Sequence, residues 1–237
     1  MAKTGELFSN RLLRALPPDV TEKLEPHLEV LDMEPRHSVF VPGQPAKYIY
    51  FPLSGVISIH TKMRDSVAVE IATVGNEGMV GLEIFLGGEH TPAAAFCQVR
   101  GRAARIAVDA FRQLTRESAP FTALLLRYTQ AVLTQVSQSA ACNRVHSIDE
   151  RCARWLLMTH DRVPGDHFVL TQEFLAEMLG TRRPSVSIAA SILQRAGFIR
   201  YSRGRVEVVD RAGLEGASCE CYAVIASEYD RLVGAAS

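Results

Sequence analysis

The feature that most restricts the possible folds of this 237-residue chain is a change in the spacing of its apolar residues at Pro120. Residues 121–147 contain neither Pro nor Gly, and their apolar and then small side chains recur at steps of three and four. Over about seven turns, this spacing predicts a single long α-helix. A helix of this length has few places to pack within one chain, so we expect its stripe to contact a second copy. The stripe comprises Leu125, Tyr128, Val132, Val136 and Ser139.

The region before this helix has a different residue pattern. From Val39 to Val108, short runs rich in β-branched and aromatic residues alternate with Gly and Pro at close intervals. Many short strands separated by turns are typical of an antiparallel barrel or sandwich. Residues 1–31 have helical apolar spacing instead, with a break at Pro17 and Pro18, and predict a short helical lead-in.

A second domain is predicted to begin near His146. Ser147 and Glu150 form a capping-box pattern, in which each side chain binds the backbone amide of the other residue. This pattern marks the first turn of a new helix. The length of the chain also favours two modules, because it exceeds one usual domain length.

Residues 170–208 predict a helix-turn-helix followed by a β-hairpin. Thr171 can cap a short helix that Gly180 ends, and Pro184 suits the first turn of the next helix, where its missing N–H has no intrahelical partner. Two helices joined by a turn that contains Gly have helix-turn-helix geometry. The pair Arg203–Gly204 lies between two β-rich runs and predicts a tight turn, so the hairpin forms a wing.

The charge of this segment predicts a DNA partner. The whole chain is balanced, with 26 basic and 26 acidic residues, so any electrostatic function is local. From Gly180 to Arg205 every charge is positive, and guanidinium groups suit phosphates and the guanine edge in the major groove. A merely solvated basic surface is the alternative, but helix-turn-helix, wing and basic charge together favour double-stranded DNA. The six arginines are Arg182, Arg183, Arg195, Arg200, Arg203 and Arg205.

Composition disfavours several other classes of protein. No apolar run is long enough to span a membrane and no basic-then-apolar leader opens the chain, so we expect a cytoplasmic protein. The five cysteines are odd in number and scattered, which fits reduced thiols better than a disulfide framework. No Ser/His/Asp arrangement, carboxylate pair or phosphate-binding loop stands out, so we do not expect an enzyme.

Three long segments carry a resemblance to a known family: VPGQPAKYIYFPLSGVISI, FTALLLRYTQAVLTQVSQSAACNRVHSIDERCARWLL and LTQEFLAEMLGTRRPSVSIAASILQRAGFIRYSRGRVEVVDRAGLE. In this order they resemble the barrel opening, the dimer helix with its hinge, and the winged helix of the bacterial Crp/Fnr family, the regulators related to the cyclic-AMP receptor protein. The resemblance implies an α+β chain. It would have a cyclic-nucleotide-binding-like jelly-roll β-barrel with its helical lead-in at 1–117, a dimerisation helix at 118–146, and a winged helix-turn-helix DNA-binding domain with a C-terminal helical extension at 147–237. It also implies a signal-sensing barrel, a homodimer, a palindromic DNA target and, for an activator, RNA polymerase as a partner.

The barrel departs from the family pattern at the effector site. Family members that bind cyclic AMP carry Gly-Glu-Leu and later Arg-Ser-Ala, whose Glu binds the ribose and whose Arg neutralises the phosphate. Here Gly78 keeps the turn, Met79 stands in place of the Glu, and Thr91 and Pro92 stand in place of the Arg-Ser. A buried phosphate without a cation is costly, so cyclic AMP bound in the family's manner is disfavoured and no cofactor is predicted. These four positions mark the predicted effector pocket.

The predicted recognition helix departs from the family pattern as well. The receptor protein has Arg-Glu-Thr-Val-x-Arg, whereas Arg183 is followed here by Pro184, and Ile188 replaces the second Arg. The DNA target should therefore differ. We expect Arg183 to bind guanine and Ile188 to touch a thymine methyl, while polar neighbours position phosphates. The predicted DNA-binding residues are Gln172, Arg182, Arg183, Ser185, Ser187, Ile188 and Arg203.

The sequence does not indicate a metal or iron–sulfur site that would replace the nucleotide as the sensed signal. The iron–sulfur branch of the family uses N-terminal cysteines, and this chain has none before Cys97. On a continuous helix, Cys219 and Cys221 would point about 200° apart, and no histidine pair has metal spacing, so no metal site is predicted. Haem ligation by a single histidine stays open. Three arginines at alternating or nearby positions either form a different anion site or lie on the solvent-exposed face of a strand. They are Arg100, Arg102 and Arg105.

The leading hypothesis is a homodimeric DNA-binding regulator that an effector shifts between two arrangements, or that needs no effector. The alternative is a ligand- or protein-binding module whose helix-turn-helix serves only as an interaction surface.

Overall fold

The computed structural model describes residues 4–62 and 68–234. Its first part is a set of short helices that pack onto the body of the chain. Asn10 caps the second helix by accepting from the amide of Leu13, and its Nδ2 donates to the carbonyls of Pro52 and Gly78, each over 2.8 Å. The lead-in is thus anchored to the sheet that follows it. The elements are α1 Thr4–Leu7, α2 Arg11–Arg14, α3 Pro18–Leu24 and a 3-10 turn at Glu25–His27.

The N-terminal half contains an antiparallel sheet in the order β1-β5-β3-β4, with β2 pairing β5. The two longest strands pair from Tyr48 opposite Ala107 to His60 opposite Ala94. Their register shifts near Gly55, whose φ is 80° and where an added Cβ would lie 2.5 Å from a carbonyl oxygen of β5. Glycine therefore permits the bulge that bends both strands. The elements are β1 Glu29–Met33, β2 Ser38–Phe40, β3 Tyr48–Lys62, β4 Ala68–Val74, the helix α4 Leu82–Phe85 and β5 Ala94–Ala107.

The predicted long helix is present as α6, Ala119–Val145, which has 27 residues. It follows α5, Val108–Glu117, after a break at Ser118, whose hydroxyl accepts from the amide of Phe121 over 3.3 Å. Pro120 lies in the first turn of α6, where it costs no hydrogen bond. One face of α6 covers the sheet and forms the main hydrophobic core with it.

The C-terminal half is a winged helix. Ser147 and Glu150 make the predicted capping box at the start of its first helix. A three-stranded antiparallel sheet, in the order β6-β8-β7, packs beside the helices. The order of sheet, long helix and winged helix confirms the predicted α+β fold class. The elements are α7 Ile148–His160, β6 His167–Val169, α8 Gln172–Met178, α9 Arg183–Arg195, β7 Ile199–Ser202, β8 Arg205–Val208, α10 Arg211–Ala217 and α11 Cys221–Val233.

The last helix returns to the N-terminal half. Tyr229 of α11 packs against Tyr128 of α6 with ring centroids 6.3 Å apart, and its hydroxyl donates to Gln135 over 2.9 Å. Ile225 and Leu232 belong to the core beneath α6. The predicted division assigns this helix to the DNA-binding domain, whereas its apolar side chains are buried in the core of the N-terminal half.

The expected continuous helix through Cys219 and Cys221 is wrong. Helix α10 ends at Ala217, Cys219 lies in the break, and Cys221 is the first residue of α11. Helical spacing therefore does not separate the two thiols.

Candidate DNA-binding face and sensor cavity

The turn between α8 and α9 sets the position of the predicted recognition helix. The Thr171 hydroxyl accepts from the amide of Phe174 over 3.2 Å and starts α8. Gly180 has a φ of 57°, in the left-handed region that favours glycine, and reverses the chain. Pro184 occupies the first turn of α9, as expected from its missing N–H. Val186 and Leu193 of α9 are buried against the rest of the winged helix, so the opposite face of α9 is available to a partner.

That opposite face carries the predicted base contacts. Ile188 is 63% exposed, so its side chain can contact a partner without a rearrangement of the helix. Arg182 and Arg183 are exposed at the N-terminal end of the same helix, and Ser185 is half-buried beside them. An apolar side chain flanked by guanidinium groups fits the mixture of methyl groups and acceptors in a major groove.

Two of the predicted DNA-binding residues contact each other. The Ser187 hydroxyl lies 2.7 Å from Oε1 of Gln172 and 3.1 Å from the carbonyl of Arg183. This contact fixes α8 to α9 and occupies the oxygen of the Gln172 amide. The amide NH₂ of Gln172 is then the end that can donate to a phosphate.

The surface is less uniformly positive than the sequence predicts. Arg183 pairs with Glu173 of α8 over 2.9 Å, and Arg200 pairs with Glu207 of β8 over 3.0 Å. Both acidic residues lie outside the segment from Gly180 to Arg205, so the charges of that segment alone did not reveal these ion pairs. The Arg183–Glu173 pair is exposed on both sides and is worth no more than about 1 kcal/mol, so DNA can displace it.

The wing is a two-residue hairpin. Arg203 and Gly204 have φ values of 49° and 74°, the left-handed pair that a type I′ turn requires. Ser202 pairs with Arg205 across the turn, and the carbonyl of Gly204 accepts from the amide of Leu170 over 2.8 Å. The exposed Arg203 is therefore held at a fixed position beside the start of α8.

Two residues of the predicted dimer stripe do not lie on the surface of the chain. Leu125 is fully buried and Tyr128 is 1% exposed, and the Tyr128 hydroxyl donates to the carbonyl of Met79 over 2.8 Å. Val132 and Ser139 are half-buried, and Val136 is 39% exposed. The first part of the predicted stripe faces the chain's own sheet, because Leu125 and Tyr128 belong to the core that covers it, whereas Val136 lies at the surface.

The uncovered face of α6 carries a second apolar series. Leu126 is 55% exposed, Leu133 is 62% exposed, and the exposed Val136 and Ala140 continue the series. The steps of seven, three and four match the a and d positions of a heptad repeat. We call these four residues the exposed stripe.

The four predicted effector-pocket residues do not surround one cavity. Met79 is buried and lines a cavity of about 160 Å³ between β4, α4, α6 and α11, whereas Gly78, Thr91 and Pro92 do not line it. An added Cβ at Gly78 would lie 2.4 Å from the Tyr128 hydroxyl, so this glycine admits the ring of Tyr128. Pro92 is exposed.

The polar surroundings of Thr91 are acidic. Its hydroxyl donates to Oε1 of Glu83 over 3.2 Å and accepts from the amide of Ala93 over 3.1 Å. Glu83 also lines the cavity, together with the apolar side chains of Leu82 and Val132. A carboxylate at this place repels a phosphate.

The three arginines of β5 do not form an anion site. Arg100 pairs with Glu34 over 3.0 Å, and Arg105 pairs with Glu29 over 2.8 Å. Arg102 contacts both Glu6 and Asp32. These ion pairs neutralise the arginine charges on the solvent-exposed face of β5.

Sequence reasoning missed the contacts between the two halves. Glu77, in the loop after β4, is 5% exposed and binds the buried Arg162, two residues after α7, over 2.6 Å. Arg162 also donates to the Thr73 hydroxyl over 2.6 Å. Phe96 of β5 packs on Phe174 of α8 with ring centroids 5.8 Å apart. The sheet therefore holds the winged helix through α7 and α8.

Among the described residues, no helix is long and apolar enough to cross a membrane.

Comparisons with known proteins agree with this geometry. Residues 30–118 match the family model described as a cyclic nucleotide-binding domain, and residues 150–217 match a Crp-like helix-turn-helix domain. A CRP-like cAMP-activated global transcriptional regulator from Mycobacterium tuberculosis is 25% identical over 215 residues, which cover 84% of this chain and 92% of that protein.

Solved structures share the fold. FixK2 from Bradyrhizobium japonicum superimposes with a TM-score of 0.67 at 17% identity, over 81% of this chain and 98% of its own. The c-di-GMP responsive global regulator CLP from Xanthomonas campestris gives a TM-score of 0.63 at 20% identity, over 81% and 99%. The two matched domains, in this order on either side of one long helix, show that the chain belongs to the Crp/Fnr family of DNA-binding transcription regulators.

Proposed function

We propose that this regulator acts as a homodimer that reads a two-fold symmetric DNA site without cyclic AMP. The observation that carries the DNA part is the outward face of α9, where exposed Ile188 lies among arginines on a helix whose other face is buried. Such a helix presents fixed side chains to a major groove.

The roles along this face follow from chemistry and position. Arg183, at the N-terminal end of α9, supplies a bidentate contact to guanine, and Ile188, which is well exposed, contacts a thymine methyl. Arg182 adds charge where α9 begins. Arg203 on the wing and the NH₂ of Gln172 bind phosphates and fix the register.

The exposed stripe is the proposed dimer surface, in place of the stripe predicted from sequence. Leu126 and Leu133 are large, apolar and more than half exposed on one rigid helix, and a second α6 crossing them would bury both. A two-fold axis through this surface relates the two copies of α9, so the proposed target is palindromic, with half-sites about one DNA helical turn apart as is usual for such dimers. For an activator, RNA polymerase is the further partner.

The effector is proposed to be something other than cyclic AMP. The relative from M. tuberculosis is described as cAMP-activated, but here Thr91 is bound to Glu83 where the nucleotide-binding members supply an arginine. The cavity beside Met79 is small and mainly apolar, so it suits a small apolar group better than a cyclic phosphate.

Capture of sheared genomic DNA on purified, ligand-free protein tests the proposal. Wild type should enrich a two-fold symmetric sequence, Arg183→Ala should lose or relax it, and Arg116→Ala, which removes an exposed arginine on α5, should behave as wild type. Enrichment that needs added cyclic AMP would overturn the effector part. Enrichment of no site, with any of the candidate ligands, would favour an interaction module over a regulator.

A further inference from the structure

Four potential metal ligands converge where α6 ends. Cys142 and His146 lie one helical turn apart at the end of α6, Cys219 lies in the break before α11, and Cys221 is the first residue of α11. One ligand atom from each side chain lies within 4.8 Å of all the others. The three cysteines are buried and His146 is half-buried, so the cluster is enclosed by the fold.

Two distances within the cluster are close to those between the ligands of a single tetrahedral ion. The sulfurs of Cys142 and Cys219 are 3.5 Å apart, and Cys221 Sγ lies 3.5 Å from Nδ1 of His146. Around a zinc ion with bonds of about 2.3 Å to sulfur and about 2.0 Å to nitrogen, tetrahedral angles place two sulfurs about 3.8 Å apart and a sulfur and a nitrogen about 3.5 Å apart. A cluster of several irons separates its thiolates further, because its ligands surround a core of several atoms.

We propose that Cys142, His146, Cys219 and Cys221 bind one divalent zinc-type ion in a closed structural site. Three thiolates and one imidazole form a donor set that selects zinc over the harder divalent cations. All four positions are filled by protein atoms, so the site has no open position for a substrate.

Neighbouring groups orient two of the ligands. Nε2 of His146 lies 3.2 Å from Oε2 of Glu220, so the ring turns its Nδ1 towards the sulfurs and its N–H towards a carboxylate. Nε2 of Gln138 donates to the sulfur of Cys221 over 3.3 Å. A histidine backed by a carboxylate and a thiolate that accepts an N–H are the usual outer contacts of metal ligands.

The charge around the cluster also fits a bound ion. Three thiolates and one divalent ion leave a net charge of −1, which needs a positive surrounding. Arg154 is 7% exposed, and Arg154 and Arg151 both interact electrostatically with Cys142. Their Nε atoms are buried and find no hydrogen-bond acceptor in the described part of the chain.

The ion would join segments that are far apart in sequence. Cys142 and His146 lie at the end of α6, immediately before the junction at Ser147, whereas Cys219 and Cys221 lie just before and at the start of the helix that returns to the N-terminal half. An occupied site therefore fixes the direction in which the winged helix leaves α6. The metal site does not depend on the proposed DNA target.

Metal analysis of the untagged full-length protein, purified under reducing conditions, tests this proposal. Wild type should contain about one zinc per chain, and cobalt substitution should give the intense visible absorption of a tetrahedral thiolate site. Cys142→Ser, Cys221→Ser and His146→Gln should lose the metal or the spectrum. Cys97→Ser and Cys152→Ser, which change buried cysteines outside the cluster, should keep both.

A second measurement covers variants that do not fold. Wild type stripped with a chelator should show a lower Tm, regain it with one equivalent of zinc, and protect three thiols from alkylation when zinc is bound. A fully reduced wild type that binds neither zinc nor cobalt would overturn the proposal. An oxidative disulfide between Cys142 and Cys219, as the only change detected at the cluster, would overturn it as well.

Discussion

The indole Nε1 of Trp155 in α7 donates to Oε1 of Glu70 in β4 over 3.1 Å, so this carboxyl group helps to join the winged helix to the sheet. The hydroxyl of Ser58 donates to the other oxygen of Glu70. Burial raises the pKa of the Glu70 carboxyl to about 7, against the opposing effect of these two hydrogen bonds. The junction between the two halves therefore contains an acid that titrates near neutral pH.

We predict that the contribution of Glu70 to the stability of the protein falls as the pH rises towards 7. Between the ordinary carboxyl pKa of 4.5 and about 7, the folded chain holds a proton on Glu70 that the unfolded chain has lost. At Glu70 the folded state binds more protons in this window, so the contribution of this group to the free energy of unfolding decreases with pH and becomes level above about 7. Burial lowers the pKa of His60 to about 4, so that group contributes with the opposite sign below its ordinary pKa of 6.5. Thermal unfolding of wild type and of a Glu70 variant at several pH values separates the two.

Glu70→Gln isolates the contribution of this group, since the amide oxygen can still accept from Trp155. The variant should have a higher Tm than wild type at about pH 8, a similar Tm near pH 4.5, and a more positive slope of Tm against pH between them. Glu117→Gln, which removes an exposed carboxylate on α5, should leave the slope as in wild type. An unchanged slope in Glu70→Gln would mean that Glu70 is not the titrating group.

Removal of one member of the Glu77–Arg162 pair should destabilise the protein strongly. Both side chains are buried, so Arg162→Met leaves the Glu77 carboxylate without its partner, at a cost of about 3–5 kcal/mol in the free energy of unfolding. The double variant Glu77→Gln with Arg162→Met should recover part of that loss, because no unpaired charge remains. Denaturant unfolding of Arg162→Met, of Glu77→Gln and of the double variant measures the coupling, and strictly additive losses would contradict it.

Local sequence signals predicted the elements of this fold. Three of these signals each depend on only a few neighbouring residues, so the local structure that they form hardly depends on the rest of the chain. They are the capping box of Ser147 and Glu150, Pro184 in the first turn of α9, and the turn at Arg203–Gly204 in the wing. The long helix was predicted for the same reason.

Contacts between distant segments were not predictable in this way. In the sequence of α6, one apolar series begins at Leu125 and another at Leu126. Which of the two is buried depends on where the sheet packs, and the sheet covers Leu125 and leaves Leu126 at the surface. Glu77 and Arg162 are 85 positions apart, and Cys142 and Cys219 are 77 positions apart. Their meeting follows from the return of α11 and the docking of α7, which no local pattern encodes.

The exposed stripe makes a direct prediction about assembly. Leu133→Glu places a charge on the proposed dimer surface, which cannot be buried against a second copy without a large desolvation cost. Wild type should be a dimer in sedimentation or light-scattering measurements, and this variant should be a monomer that stays folded, because Leu133 is 62% exposed within the chain. Val41→Glu changes another exposed apolar residue, outside α6, and should remain dimeric. A dimer that withstands Leu133→Glu would place the interface elsewhere.

The two classes of DNA contact should separate by their dependence on salt and sequence. Arg183→Ala removes a base contact, so it should cost about 1–3 kcal/mol on the captured site and relax the preference at one base pair of each half-site. Arg203→Ala removes a phosphate contact from the wing, so it should weaken binding to all sequences alike and lower the slope of log affinity against log salt by about 1. Fluorescence anisotropy with the captured site and a scrambled site, over a series of salt concentrations, measures both effects. If Arg183→Ala instead weakens both DNAs equally, its guanidinium binds a phosphate, and the specificity of α9 must come from Ile188 and its serine neighbours.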